Sequence, residues 1–131
     1  MTPIQTNNYT IFFNEESFVY LQNLLQPEAY SKIFVLVDEN TNEYCLPYFL
    51  ANLPTEIEIE IIEIEAGEEH KNMYTCMDLW HTFIDLEADR KSILLNLGGG
   101  VVTDIGGFVA STFKRGIEFI NIPTKDKRPV Y

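Results

Sequence analysis

The sequence predicts an α/β fold, a mostly parallel sheet with helices on both faces. Three observations predict it. Strand-like and helix-like segments alternate strictly along the chain, the pattern of right-handed strand–helix–strand crossovers. Two continuous apolar runs, Ile33-Phe34-Val35-Leu36-Val37 and Ile93-Leu94-Leu95-Asn96-Leu97, suit parallel strands covered on both faces rather than half-wet ones. Three glycines, Gly98-Gly99-Gly100, stand between the second of these runs and a helical segment.

The elements follow in order. Tyr9 to Phe13 is a short β-prone run that stops at Asn14. Glu15-Glu16-Ser17 opens a helix whose Phe18, Leu21, Leu24 and Leu25 recur at helical spacing, and Pro27 closes it. The strand at 33–37 ends on Asp38. Residues 41–51 are expected to form a short helix whose extent Pro47 leaves open. Residues 56–65 alternate Glu and Ile, the mark of a strand with one wet face near the sheet edge, and the doublet Ile61-Ile62 is expected to mark a bulge. Gly67-Glu68-Glu69-His70-Lys71 turns into a long helix with the apolar stripe Met73, Met77, Trp80 and Ile84, ending near Asp89-Arg90. After the strand at 92–97 and the glycines, a helix runs from about Val102 to Lys114, and Gly116 caps it. Residues 118–122 are a last strand stopped by Pro123. The remainder, 124–131, is charged and aperiodic and reads as disordered.

Bulk properties narrow the function. The 131 residues make one domain, and 46% hydrophobic content allows a core. A formal net charge of -11 argues against non-specific nucleic-acid binding and against docking on anionic lipid. It leaves room for an anionic ligand held by backbone N–H groups at a helix N-terminus. Cys45 and Cys76 form no C-x-x-C pair and read as buried free thiols. The N-terminus has no signal-peptide pattern and no apolar run could span a bilayer, so a cytoplasmic protein is expected.

The chemistry-bearing residues gather at predicted strand ends, where ligands of parallel sheets bind. These are Asp38, 67–71, 98–104 and Thr124. The triple glycine permits close backbone approach and positive φ, and the following helix dipole favours a pyrophosphate. A tight turn would need only one glycine. Gly106 and Gly107 sit inside the helix, each disfavoured by roughly 1 kcal/mol against alanine; close strand–helix packing is the preferred reason, ligand approach the other. Asp104 in that helix reads first as a carboxylate near a helix N-terminus, and otherwise as a ligand acceptor. Asp38 stands evenly between a helix cap and a ribose-hydroxyl acceptor. Glu68 and Lys71, three apart, read as an exposed ion pair. Arg115 suits the C-terminal end of the glycine helix. His70 and His81 have no partner at metal-ligand spacing, and nothing resembles a nucleophilic triad. An ordinary G-x-G-x-x-G dehydrogenase is disfavoured, because the first strand–helix turn has no glycine and Thr103 takes the third glycine's place.

Taken together, Gly98-Gly99-Gly100-Val101-Val102-Thr103-Asp104-Ile105-Gly106-Gly107-Phe108-Val109-Ala110, Thr112-Phe113-Lys114-Arg115-Gly116 and Ile122-Pro123-Thr124 closely resemble the signature of 3-dehydroquinate synthases. Asp38 matches the acid after the family's second strand, and 67–71 its G-E-x-x-K turn. The resemblance implies a Rossmann-like NAD-binding domain over 1–124, the N-terminal half of a dehydroquinate synthase-like fold. It implies NAD contacts at Asp38 (adenosine ribose), Glu68, Lys71, Gly99, Gly100 and Val101 (pyrophosphate), Asp104 (nicotinamide side) and Thr124. It gives Arg115 a substrate-phosphate contact, one that can serve the neighbouring subunit of a homodimer. The implied reaction is the NAD-dependent conversion of a sugar-acid phosphate, 3-deoxy-arabino-heptulosonate 7-phosphate, to 3-dehydroquinate with loss of phosphate. That is a lyase step of the shikimate pathway towards chorismate and the aromatic amino acids, and it uses a zinc or cobalt ion.

The likeness stops after Thr124. The family continues with a second threonine, leucines and a glycine-lysine motif, whereas this chain reads Lys125-Asp126-Lys127-Arg128-Pro129-Val130-Tyr131. The metal ligands and catalytic lysines belong to a helical second domain that the sequence lacks. The chain is therefore expected to bind NAD without catalysing the reaction, with no catalytic or metal-ligating residue of its own. Two other readings are a related sugar-phosphate cyclase or glycerol-dehydrogenase-like protein, and a remnant without a ligand.

Overall fold

The structure, a computed structural model, describes residues 4–6 and 8–127. Its strands are β1 (Ile4–Gln5), β2 (Tyr9–Ile11), β3 (Ile33–Asp38), β4 (Ile59–Ile64), β5 (Ile93–Gly98) and β6 (Glu118–Asp126). Its helices are α1 (Glu15–Leu24), α2 (Glu39–Tyr44), α3 (Leu46–Ala51), α4 (Met73–Asp85) and α5 (Gly100–Thr112). Short 3-10 turns cover Glu68–His70 and Phe113–Arg115. The strands form one six-stranded sheet in the order β1-β2-β6-β5-β3-β4. The four strands β6, β5, β3 and β4 are parallel, and β1 and β2 add an antiparallel edge.

Alternation along each buried strand feeds two cores. Ile33, Val35, Val37, Ile93, Leu95, Leu97 and Ile122 point to the face covered by α1, α2 and α3. Phe34, Leu36, Ile62, Ile64 and Leu94 point to the face covered by α4 and α5. Each fully buried side chain of this size contributes about 1.5–3 kcal/mol, and burial on both faces explains why β3 and β5 show no polar alternation.

The structure corrects several expectations. The doublet Ile61-Ile62 is no bulge: β3 and β4 pair without a break from Ile33↔Ile59 to Asp38↔Ile64. The doublet instead switches which face of this edge strand carries isoleucine, so Ile62 and Ile64 are buried while Ile61 is exposed. The helix at 41–51 is two helices, with Pro47 in the first turn of α3, where its missing N–H costs nothing. The buried row of α4 is Cys76, Leu79 and Phe83. Met73, Met77 and Ile84 are exposed, and Trp80 lies half-buried, donating from Nε1 to Thr112 Oγ1 at 3.1 Å. Two apolar rows run side by side on this helix, and the sheet takes the one of Cys76, Leu79 and Phe83. α4 ends at Asp85, four residues before the expected Asp89.

Residues 124–126 are not disordered. β6 continues through Pro123 to Asp126 by changing partner: Glu118 to Pro123 pair with β5, and Thr124 to Asp126 pair with β2. Proline fits at the changeover because it needs only to accept, and Phe12 N–H donates to its carbonyl at 2.8 Å. Residues 128–131, the rest of the expected tail, lie outside the described residues.

Both cysteines are free and buried, as the sequence predicts. Burial, with Asp38 and Asp126 nearby, pushes the Cys45 thiol up to about 12, and burial also raises Cys76. Neither should react with a disulfide reagent at pH 8 while the chain is folded; both should titrate after denaturation. Rapid native labelling of Cys45 would contradict the packing of α2 and α3.

At the amino edge of the sheet, Asp89 accepts from Ser31 Oγ at 2.6 Å and Lys91 N–H at 2.9 Å, while its own N–H donates to Ser92 Oγ at 3.0 Å. The Ser31 hydrogen bond, foremost, holds the Asp89 carboxyl below its ordinary range. A depressed carboxylate contributes stability above its unfolded pKa and loses it as pH falls through the folded one. An Asp89→Asn variant should therefore show a shallower loss of melting temperature between pH 5 and pH 2, on the order of the usual acid range.

Candidate functional site

The parallel strands bring the singled-out residues to one edge. Asp38 ends β3 opposite Ile64 of β4, and Gly98 ends β5 opposite Pro123 of β6. The β3–β5 register, Leu36↔Asn96, carried two residues on, sets Asp38 level with Gly98. Thr124 lies one residue beyond Pro123 on β6. The chain leaves β3 towards β4 on one side and returns to β5 on the other. The crevice between β3 and β5 is thus the topological switch point, where parallel sheets bind ligands.

α5 rises from that crevice with its N-terminus bare. Asn14, Asp38 and Asn72 cap α1, α2 and α4 through side-chain oxygens that accept a backbone N–H. Gly99, the N-cap of α5, has no side chain to do so. The first N–H groups of a helix have no partner within it, so α5 offers donors and the positive end of its dipole to an anion. A Cβ built on Gly99 or Gly100 would meet nothing within 4 Å, and both residues are exposed. No packing reason requires glycine there. The expected positive φ is absent: among the described glycines only Gly67 and Gly116 adopt it, and Gly99 sits at φ -83. The use of these two glycines is open space above the backbone, a cradle that side chains would fill.

Gly98 differs. Its Cβ would lie 2.7 Å from Val102 Cβ, so this glycine lets α5 pack on the end of β5. Gly106 is also a packing glycine, as the sequence prefers: its Cβ would fall 1.9 Å from Asn96 Oδ1. Gly107 meets only ordinary contact with Phe119 at 3.4 Å. Sequence reasoning passed over Asn96 and gave Gly98 no separate role. The available signal was a lone amide in an apolar strand with a helical glycine facing it.

Asp38 forms a capping box: its Oδ1 accepts from Thr41 N–H at 2.8 Å, and Thr41 Oγ1 accepts from Asp38 N–H at 3.0 Å. The cap reading holds, and it leaves Oδ2 outside the capping bonds. Lys71 pairs with Glu68 at 3.8 Å and more closely with Asp104 at 2.8 Å, linking the loop before α4 to the second turn of α5. The Asp104 hydrogen bond and charge, then Glu68, raise the Lys71 ammonium above its ordinary value. Asp104 therefore acts through a partner 33 residues away, beyond the first turn of the helix. Beneath this pair is a cleft of about 310 Å³ whose walls include Met73, Cys76, Ile105 and Phe108. Being exposed, the pair should contribute little to stability. Lys71→Met should leave the melting temperature at the wild-type value by circular dichroism, and its cost should appear in ligand affinity instead.

Arg115 is not brought to this edge. It follows the far end of α5, whose 13 residues span about 20 Å. Lys114 and Arg115 hold φ 45 and 70 before Gly116 at 106, so Gly116 closes the 3-10 turn rather than α5 itself. His70 pairs with Glu65 at 3.0 Å. Among the described residues no group of three His, Cys, Asp or Glu could hold a metal ion. Among the described residues no helix is long and apolar enough to cross a membrane.

The fold and site define an α/β protein with an uncapped, glycine-lined helix N-terminus open at a sheet switch point. The sequence pattern of the family described as 3-dehydroquinate synthase N-terminal matches residues 61–126. A 3-dehydroquinate synthase from Parabacteroides distasonis is 43% identical over 104 residues, covering 79% of this chain and 29% of that protein. One from Campylobacter jejuni is 41% identical over 106 residues, covering 81% and 30%. One from Helicobacter pylori is 32% identical over 124 residues, covering 95% and 34%. The chain belongs to the 3-dehydroquinate synthase family, and it spans about a third or less of the length of these relatives.

Among solved structures, 2-deoxy-scyllo-inosose synthase, complexed with carbaglucose-6-phosphate, NAD+ and Co2+, superposes with TM-score 0.67 at 22% identity. That superposition covers 91% of this chain and 35% of the other, and it shows the shared fold. The 2-epi-5-epi-valiolone synthase of Streptomyces hygroscopicus, with NAD+ and Zn2+ bound, gives TM-score 0.58 at 27% identity over 74% of this chain and 28% of the other.

Proposed function

We propose that this chain is the NAD-binding part of a 3-dehydroquinate synthase acting on 3-deoxy-arabino-heptulosonate 7-phosphate. The observation that carries the reading is the bare cradle of Gly99 and Gly100 at the N-terminus of α5. Open space above backbone donors at a switch point fits a dinucleotide pyrophosphate. Gly99, Gly100 and Val101 would hold the pyrophosphate. Asp38 would accept from a ribose hydroxyl while still capping α2, and Glu68, Lys71, Asp104 and Thr124 would line the remainder of the cofactor. The Lys71–Asp104 pair ties the loop before α4 to the second turn of α5, so their polar groups meet the ligand already oriented. When bound, NAD supplies a reversible hydride acceptor.

Arg115, separated from the cradle by the length of α5, would meet the substrate phosphate of a second copy, which makes the working enzyme a homodimer. The chain spans 29–34% of the compared relatives, and we expect it to bind NAD without turning substrate over. Zinc or cobalt, the lyase step, the place in the shikimate pathway and a cytoplasmic setting belong to this proposal for the whole enzyme. The substrate assignment over a related cyclase rests on the 43% and 41% identities to dehydroquinate synthases.

Amide-shift mapping tests the site. Adding NAD to the isotopically labelled chain should move the signals of Asp38, Lys71, Gly99, Gly100, Val101, Asp104 and Thr124 together. Shifts confined to the opposite edge of the sheet, or none at saturating NAD, would contradict the assignment.

A further inference from the structure

We infer that Asn96 is a positioning residue: its buried amide sets the height of α5 on the sheet and thereby the place of the backbone donors at Gly100 and Val101. Asn96 is fully buried in β5, flanked by Leu95 and Leu97. Its Nδ2 donates to Asn121 Oδ1 on β6 at 3.1 Å. Its Oδ1 has no hydrogen-bond partner and is the sole such buried side-chain atom among the described residues. An unpaired buried acceptor is disfavoured, so its presence needs a reason.

The reason is its location. Oδ1 occupies the space of a side chain at position 106, 1.9 Å from where a Cβ would be. The amide therefore abuts Gly106 at its Cα, whose C–H is at best a weak donor. One helical turn earlier, Gly98 lets the same strand receive Val102 closely, its missing Cβ otherwise 2.7 Å away. α5 thus rests on β5 at two contacts that each set one side chain against a glycine, Val102 on Gly98 and Asn96 on Gly106. Asn121 holds the amide from the side and fixes its plane. A helix moves as a rigid rod over one or two turns, so a change of height at Gly106 is transmitted to the six-residue stretch that ends at Gly100, about 9 Å away. A Cβ at Gly99 or Gly100 would meet nothing within 4 Å, and Thr103 Oγ1, which donates to both carbonyls at 3.2 Å, belongs to the same helix and moves with it. The restraint comes from below, through Asn96.

The functional consequence rests on the dinucleotide reading above, so the test has one arm with NAD and one without. Gly106→Ala, Asn96→Ala and the double variant are compared in the 131-residue chain by loop amide shifts, melting temperature and NAD affinity. Gly106→Ala should displace the amide signals of Gly99, Gly100 and Val101 and weaken NAD by about tenfold or more; the double variant, with room for the new methyl, should bring both back to within about threefold of wild type. Asn96→Ala alone, which removes an amide without adding volume, should also shift those amides. The inference is overturned if Gly106→Ala leaves the loop signals unchanged, or if the double variant stays as displaced as Gly106→Ala. If Gly106→Ala does not fold, unchanged loop signals in Asn96→Ala overturn it. A wild-type chain that does not bind NAD removes the dinucleotide reading, while the loop signals still decide the role of Asn96.

Discussion

Gly99→Val is expected to leave the chain folded and to weaken NAD by at least about a hundredfold, a loss of roughly 2.7 kcal/mol. The fold is spared because a Cβ at 99 meets nothing within 4 Å and the residue already has an extended conformation, φ -83 and ψ -163, that valine adopts freely. Binding is lost because the branched side chain fills the space through which a pyrophosphate would reach the first N–H groups of α5. Gly100→Ala makes the complementary case. It replaces a glycine in the first turn of a helix, which should raise stability by up to about 1 kcal/mol while lowering affinity. A thermal melt paired with an NAD titration separates the two effects. Equal loss of stability and affinity in Gly99→Val would mean that the glycine serves folding and not a ligand.

Phe83→Ala should be the most damaging single truncation in the α4–α5 core, costing about 3–5 kcal/mol. Phe83 is 1% exposed, and its ring contacts Phe34 of β3 at 5.1 Å and Phe113 at 5.2 Å. It joins the central strand, α4 and the turn that carries Arg115. A stability of 5–15 kcal/mol is usual for a domain, so this loss leaves the chain at the margin of folding. Denaturant titration should show a midpoint lowered by roughly a fifth or more of its wild-type value, as that ratio implies. Met77→Ala, on the exposed row of the same helix, should cost little. If the two losses were equal, the sheet-facing side of α4 would be wrongly assigned.

Much of this architecture was legible in the sequence because apolar period and burial are directly linked. The runs at 33–37 and 93–97 have no polar alternation since both faces are covered, and they gave the central strands without ambiguity. The Glu–Ile alternation gave the edge strand β4. What stayed hidden depended on tertiary partners. β1 has two residues, too few for any period. Pro123 reads as a stop by its own chemistry, yet β6 passes through it because the strand changes neighbours there. Two apolar rows share α4, and only the position of the sheet decides between Cys76-Leu79-Phe83 and Met73-Met77-Ile84. In the site, the glycine segment was legible by type and spacing, although its glycines serve two purposes. Gly98 and Gly106 admit packing, whereas Gly99 and Gly100 leave space. The Lys71–Asp104 pair joins a loop to a helix 33 residues further on and has no local signal.

On the proposed reading, the cradle at the carboxyl edge of β5 binds NAD. Calorimetric titration of the purified 131-residue chain with NAD, with circular dichroism confirming that it is folded, tests it most directly. The account predicts saturable heat with one NAD per chain. A folded chain that gives no heat at millimolar NAD would contradict it.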